Sequence, residues 1–313
     1  MASLVIEETP CPVCHSYSHT LFLKACDYLI SRSDFSLVRC ETCGVVFTNP
    51  RVCEQSIQDY YTSDYTSFAI RRNSRVRRYI KSMISFIYQD QYQKIAYLLK
   101  NNNVRNILEI GPGNGGLITY LHGNGFDVTG VELDTACVER IQSSGIVCHQ
   151  GTVEDVKDHL STYDAVIMCN VFEHVYRPKF LLEIIHSKLS DNGLLYLTMP
   201  NIASFEARLF GKYWRGLDLP RHITHFSPDK LGCLLSNLDY SVDKITNLPF
   251  PSSFIESIAF LMTKKGRFKN SIYYPLFYIW KILSPLHVKI IGSGIMEVVA
   301  RKKDVEKDQQ WQK

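Results

Sequence analysis

The chain lacks internal repeats and low-complexity tracts, and it lacks a strong charge of either sign. With 35 Lys and Arg against 31 Asp and Glu, the formal net charge is only +4. That is too mild for a domain that tracks phosphates, so no nucleic-acid partner is expected. The opening residues Met1 to Glu8 lack the basic stretch and long apolar run of a secretory signal, and the expected location is cytoplasmic. In a reducing compartment ten cysteines are expected to hold metal or lie buried rather than pair as disulfides. A good membrane span is also missing. The most aromatic and apolar stretch, 271–286, carries Lys281 and is broken by Pro275 and Pro285.

What is present is ordinary globular material, 45% hydrophobic and 21% charged, sufficient for one large domain and a smaller appendage. Residues 1–65 are rich in Cys, Ser and Tyr and poor in apolar periodicity, as expected of a small module that needs a staple. Residues 66–104 read as a helical lead-in, with Ile80, Met83, Ile84, Ile87, Ile95, Leu98 and Leu99 mainly at three- and four-residue spacings. From 105 to 302 short apolar runs alternate with helical stretches, the pattern of a parallel sheet with crossover helices. Strands are predicted at Asn106–Ile110, Asp127–Glu132, Ile146–Gln150, Ala165–Cys169, Leu194–Met199, Ser241–Asn247 and Ile295–Arg301, and helices at Gly115–Asn124, Thr135–Ser143 and Pro178–Leu189. Asp191-Asn192-Gly193 reads as the turn that ends the last of these helices. Residues 201–227 form a long irregular loop, 252–291 an apolar helical insertion and 303–313 a tail. Ser227-Pro228 reads as an N-cap with proline at the first helical position.

A strand ending at Glu109-Ile110 and entering Gly111-Pro112-Gly113-Asn114-Gly115-Gly116 places backbone free of side-chain bulk beside a ligand. Alone, the turn also suits a dinucleotide, with Glu132 at the distance for ribose hydroxyls in either case. The whole string Ile107 to Gly115 resembles motif I of class I S-adenosylmethionine-dependent methyltransferases, whose acid two residues before the first glycine is atypical of dinucleotide folds. Val131-Glu132-Leu133-Asp134, Gly151-Thr152-Val153-Glu154-Asp155 and Asn170-Val171-Phe172-Glu173-His174-Val175 resemble the family's later motifs in order. The resemblance implies a Rossmann-like α/β sheet with helices on both faces. It also implies S-adenosyl-L-methionine held by Glu109, Gly111, Gly113, Gly115, Glu132, Leu133, Thr152, Val153, Glu154 and Asn170. Thr152 stands where many relatives carry Asp, which puts its contact with the adenine amine in doubt.

Cys11 and Cys14, then Cys40 and Cys43, form two Cys-x-x-Cys pairs, the spacing of a four-thiolate structural zinc. Cys11 to His15 also spells the haem c attachment motif, which leaves the second pair unexplained. The segment Cys40 to Pro50 resembles the zinc-binding segment ahead of some bacterial methyltransferase domains, sugar C-methyltransferases among them. The remaining cysteines, Cys26, Cys53, Cys137, Cys148, Cys169 and Cys233, are expected to be buried or half-buried thiols.

Methyl transfer from a sulfonium is an in-line displacement that needs an aligned acceptor and, for a poor nucleophile, removal of its proton. The candidate catalytic residues are Glu173, His174, His222 and His225. The loop Tyr213 to Phe226 resembles a segment of methyltransferases from surface-glycan pathways, and Arg215 or Arg221 could hold a phosphate. The expected acceptor is therefore a small molecule or glycan, foremost a sugar on a nucleotide or lipid-phosphate carrier. A quinone-like acceptor methylated on oxygen is the alternative, and a zinc-anchored binding module without catalysis is the reading from another class. Arg71, Arg72, Arg75, Arg77, Arg78 and Lys81 read first as a solvated helix face. Lys264, Lys265, Arg267 and Lys269 beside the aromatic stretch would allow peripheral contact with the inner face of a membrane through 264–291, although a packed helix pair is favoured.

Overall fold

The computed structural model describes residues 5–61, 89–249, 251–263, scattered helical positions between 272 and 283, and 292–303. The basic cluster from Arg71 to Lys81 and the cations Lys264, Lys265, Arg267 and Lys269 lie outside the described residues. Among the described residues no helix is long and apolar enough to cross a membrane. The chain divides into two compact units, one made of Met1–Tyr65, Asn170–Leu182 and Leu197–Val299, the other of Thr66–Cys169, Glu183–Tyr196 and Ala300–Lys313.

The strands in chain order are β1 (Ile6–Glu7), β2 (His19–Cys26), β3 (Asp34–Cys40), β4 (Val46–Thr48), β5 (Arg51–Val52), β6 (Asn106–Ile110), β7 (Asp127–Glu132), β8 (Val147–Gln150), β9 (Tyr163–Cys169), β10 (Leu189–Pro200), β11 (Thr224–His225), β12 (Tyr240–Leu248) and β13 (Ile295–Lys302). A seven-stranded sheet has the order β12-β13-β10-β9-β6-β7-β8, in which β6 pairs parallel with β7 and β9, and β7 with β8. This is the Rossmann-like sheet expected from the alternating pattern. Chain direction reverses across β6, because the path runs to β7 and β8 on one side and returns to β9 on the other. Open α/β sheets bind ligands outside the carboxyl ends of strands at such a point.

In the second unit α1 (89–101) precedes β6, and α2 (Gly116–Gly123), α3 (Thr135–Gln142) and α4 (Val153–Val156) follow β6, β7 and β8. The apolar residues fall at helical spacing, so Leu117, Ile118 and Leu121 of α2 and Val138 and Ile141 of α3 are buried, α2 packing on β7 and α3 on β7 and β8. Gly130 in β7 lets that layer close. A Cβ there would sit 2.9 Å from the Cys148 sulfur and 3.1 Å from Ile118 Cδ1. Asp134 caps α3 by accepting the Cys137 N–H at 2.9 Å. Asp191-Asn192-Gly193 lies inside β10 rather than outside a helix: β10 already begins at Leu189, and the chain kinks through left-handed Asn192, φ 59°. The helix before it, α5, spans Pro178–Lys188.

In the first unit a second sheet has the order β11-β4-β3-β2, all antiparallel. β3 alternates faces with period two. Phe35 and Leu37 enter a core with Trp214, Leu219, Ile223 and Tyr176, while Val38 and Cys40 pack with Phe47 around Cys11. The loop 201–227 contains α6 (Phe205–Phe210), short 3-10 turns at Gly211–Tyr213 and Arg215–Leu217, and β11. β11 pairs with β4 of the amino-terminal segment, Thr224 opposite Phe47 and His225 opposite Val46. This link joins residues far apart in the chain. α7 (Pro228–Ser236) starts as expected, with extended Ser227 as N-cap and Pro228 at N1. α8 (Pro251–Thr263) opens the apolar insertion and buries Ile255, Ala259 and Phe260. Of the thiols expected to be at least half-buried, Cys233 is instead exposed, because it falls on the outer side of α7.

Candidate functional site

Two groups of predicted residues come together, one in each unit. In the second unit, Gly111 leaves β6 with its N–H on the Val131 carbonyl at 2.8 Å, and the chain turns through left-handed Gly113 and Gly115 into α2. Gly113 has φ +53°, and a Cβ there would meet nothing within 4 Å, so the turn faces open space. Glu132 at the end of β7 accepts the Gly113 N–H at 2.8 Å on one oxygen, and the N–H groups of Leu133 and Asp134 at 2.8 and 3.0 Å on the other. Three backbone donors thus hold the carboxylate in place with lone-pair capacity to spare. Leu133 beside it is 58% exposed, an apolar surface at the edge of the turn.

Glu109 is 4% exposed, and its Oε2 has no hydrogen-bond partner among the described residues. Burial, and then the nearby Glu132 charge, push its carboxyl up to about 8. An orphaned buried acid beside an open glycine turn fits a ligand that brings a cation and donors, as the ammonium end of S-adenosylmethionine does. Thr152 is the N-cap of α4 in a capping box with Asp155, its hydroxyl donating to Asp155 Oδ2 at 2.7 Å. The position thus serves the helix end. Val153 is buried and Glu154 half-buried in the same turn. Asn170, directly after β9 and counted in the first unit, is left-handed at φ 55°, and its N–H bonds the Thr198 carbonyl at 2.8 Å.

In the first unit Glu173 and His174 stand on the 3-10 turn Phe172–His174, and the Glu173 carbonyl accepts the Ile223 N–H at 2.8 Å. That bond draws the loop bearing His222 and His225 over the turn. One ligand-bearing atom each of Glu173, His174 and His222 falls within 4.8 Å of the others. His222 Nε2 is 3.9 Å from Glu173 Oε1 and 3.6 Å from Asp218 Oδ2, and its Nδ1 meets the Gly216 carbonyl at 2.9 Å. His174 Nδ1 meets the Arg221 carbonyl and the Tyr61 hydroxyl, each at 3.0 Å. His225 stands apart, 6.2 Å ring to ring from His222, with Nε2 3.4 Å from Thr48 Oγ1. Both Glu173 oxygens are buried without a hydrogen-bond partner among the described residues.

Burial sets the charge states here. It lowers His174 to about 4, lowers His225 to about 3 and, with His174 adjacent, holds His222 well below the usual imidazole range. It raises Glu173 to about 8. Burial acts to raise Asp218 too, but Arg215, Arg221 and His222 outweigh it and hold that carboxyl well below its ordinary value.

Further residues join this cluster, of which Asp27 carried no sequence signal. Arg221 is 1% exposed and bonds Asp218 at 2.6 Å, with Asp27 at 3.6 Å. Asp27 in turn accepts the N–H groups of Leu29, Ile30 and Ser31, at 2.9, 3.1 and 2.7 Å. Arg215 is spent on Asp218 at 2.8 Å and Glu256 at 2.7 Å, and Trp214 is 1% exposed in the core. The Arg215 and Arg221 side chains proposed for a phosphate are therefore engaged by carboxylates of the protein itself. Asp218 was legible only as an i+3 and i−3 neighbour of two arginines.

The four paired cysteines also converge, with sulfurs 3.5 Å apart for Cys11–Cys43 and 3.4 Å for Cys14–Cys40. A tetrahedral zinc with sulfur bonds of about 2.3 Å needs edges of about 3.8 Å, so the set could hold one after a slight expansion. Both knuckles turn through left-handed residues, His15 and Gly44, and the Cys43 N–H points at the Cys40 sulfur at 3.5 Å.

Residues 76–245, more than half of the chain, match the family model described as a methyltransferase domain. Ubiquinone biosynthesis O-methyltransferase of Glaesserella parasuis is 31% identical over 122 residues, covering 34% of this chain and 52% of that protein. The chain thus spans about half the length of that relative. Similar solved structures include a SAM-dependent methyltransferase from Archaeoglobus fulgidus, with 18% identity, 69% of this chain and 99% of that chain covered, and a TM-score of 0.46. Coclaurine N-methyltransferase bound to N-methylheliamine and SAH matches at 16% identity over 67% of this chain and 72% of that chain, with a TM-score of 0.44. At these scores neither likeness bears weight beyond the family match. With the glycine turn, the ordered Glu132 carboxylate and the parallel sheet in place, the chain belongs to the methyltransferase-domain family and carries a class I S-adenosylmethionine-dependent methyltransferase domain.

Proposed function

We propose that the protein transfers a methyl group to a hydroxyl oxygen of a small acceptor, foremost a quinol- or catechol-like ring, and that the Glu173–His174–His222 cluster activates that hydroxyl. The observation that carries this reading is the Glu173 carboxyl, buried and without a hydrogen-bond partner among the described residues, beside two neutral imidazoles. Such a group invites a hydroxyl donor, and a basicity near neutral suits proton removal. The O-methylating relative from Glaesserella parasuis points the same way. When bound, S-adenosylmethionine supplies a methyl group on a sulfonium. Glu109 would receive its ammonium, Glu132 would accept from the ribose, and Leu133 and Val153 would cover the adenine, while Asn170 would line the transfer site.

Four cysteines, Cys11, Cys14, Cys40 and Cys43, would hold a structural zinc, since sulfur fills every position and leaves none for water. The Cys40–Cys43 knuckle joins β3 to β4, and β4 carries β11 with His225. The module would in this way set the loop that bears His222. A sugar on a nucleotide or lipid-phosphate carrier is the competing acceptor, weakened by the internal pairing of Arg215 and Arg221. The test is a labelled-methyl assay against catechols, quinols, nucleotide sugars and glycolipid precursors. Transfer to a phenolic hydroxyl is expected; transfer to sugars alone would replace this reading with the glycan one.

A further inference from the structure

The geometry points to a divalent transition-metal site formed by Glu173, His174 and His222, distinct from the four-cysteine set. The first line of argument is tautomeric. A carbonyl oxygen can only accept, so the 2.9 Å contact of His222 Nδ1 with the Gly216 carbonyl places the proton on Nδ1. The lone pair is then on Nε2, which faces Glu173 Oε1 at 3.9 Å and Asp218 Oδ2 at 3.6 Å. Both separations exceed hydrogen-bond length, so neither carboxyl is bonded to Nε2, and an ion seated between Nε2 and Glu173 Oε1 would take a lone pair from each.

His174 repeats the arrangement. Its Nδ1 meets both the Arg221 carbonyl and the Tyr61 hydroxyl at 3.0 Å; the carbonyl can only accept, so with the proton on Nδ1 and the hydroxyl oxygen also accepting, Nε2 is the lone-pair nitrogen. Histidines whose far N–H is fixed by a backbone carbonyl are the usual form of metal-ligating histidine. The second, independent observation is Glu173, whose two oxygens are buried and unpartnered among the described residues. Both oxygens thus carry lone pairs that no donor among the described residues takes.

One ligand atom from each of the three residues lies within 4.8 Å of the others, and bonds of about 2.0–2.2 Å require separations near 3.5 Å, so binding would contract the set by about 1 Å. Two imidazoles and one carboxylate suit zinc, cobalt, iron or manganese better than magnesium or calcium. Three protein ligands leave a position for water or an acceptor hydroxyl, whose pKa the ion would lower. That role deepens the O-methylation reading and rests on it; the existence of the site does not.

The test is metal stoichiometry and the optical spectrum of full-length protein expressed in zinc-depleted, cobalt-supplemented medium. Two cobalt ions per chain are expected, one with the intense sulfur-to-cobalt charge-transfer band and one with d–d bands only. Glu173→Gln and His222→Asn should each remove the second ion and keep the charge-transfer band, with S-adenosylhomocysteine binding retained as the check on folding. Cys40→Ser should remove the charge-transfer band. One ion per chain in the unaltered protein, or a second ion that survives both cluster substitutions, overturns the site. Two ions with no transfer to any hydroxyl would sustain the site and remove the proposed function, and one ion with hydroxyl transfer would do the reverse.

Discussion

Replacing Glu109 by glutamine should abolish a pH dependence of cofactor binding that the wild-type protein displays between neutral and mildly alkaline pH. Glu109 is buried, one of its oxygens lacks a hydrogen-bond partner, and its carboxyl is raised to about 8 by burial and by Glu132. A ligand presenting an ammonium group there requires the ionised form. With a pKa near 8, about a tenth of the carboxyl is ionised at pH 7 and about three quarters at pH 8.5, so affinity for S-adenosylhomocysteine should rise about eightfold over that interval. Binding at pH 7 should release close to one proton. Calorimetric titrations in two buffers of different ionisation enthalpy measure both quantities. Glu109→Gln should bind weakly and with a flat profile. The sign for stability is opposite. The folded-state value lies above the ordinary 4.5, so the ligand-free fold is favoured with Glu109 protonated and loses stability as pH rises from about 4.5 to about 8, by no more than about 5 kcal/mol. A wild-type affinity that is level from pH 7 to 8.5, or a glutamine variant that binds as tightly as wild type, would refute the placement of the ammonium at Glu109.

Other expectations follow from single contacts. Asp134→Ala removes the N-cap bond to Cys137 and should lower unfolding free energy in urea by about 1 kcal/mol, with no change expected from Asp134→Asn or Asp134→Ser. Arg221→Ala leaves buried Asp218 with Arg215 alone and takes the nearby guanidinium from Asp27, and should cost about 3 kcal/mol in the same assay; a loss under about 1 kcal/mol would show that the pair is not buried in solution. Cys40→Ser should eliminate bound zinc and, by loosening β4 and with it β11, lower methyl-transfer kcat/KM by about a hundredfold. S-adenosylhomocysteine affinity should be retained in that variant, and an equal fall in both would contradict the assignment of the zinc module to the acceptor side.

How far the molecule was legible in its sequence depended on whether a feature was local. β6 and β7 match the predicted strands residue for residue, because each is a short buried run closed by a glycine turn or a capping acid. Local chemistry marks such ends. Helix α5 and the Ser227-Pro228 start of α7 were readable on the same grounds. β11 was not, since a two-residue strand paired with residues 46 and 47 has no period of its own. The same holds for the Glu173 cluster. Glu173, His174 and His222 stood out by residue type and by the motif they follow, but the partners beside them, Tyr61 and Asp218, come from segments with no pattern in common. The misreading of Arg215 and Arg221 as phosphate ligands has a related cause. A guanidinium paired inside a loop and one awaiting a ligand look identical in a sequence, and only the carboxylates of Asp218 and Glu256 decide between them.

The measurement that bears most directly on the account is the position of the transferred methyl group and its rate in Glu173→Gln. Wild-type protein, methyl-labelled S-adenosylmethionine and the acceptor found in the panel should give a product labelled on oxygen by mass spectrometry. The variant should bind S-adenosylhomocysteine normally while its kcat falls by about a hundredfold or more. A label on carbon or nitrogen, or an unchanged kcat in Glu173→Gln, would contradict it.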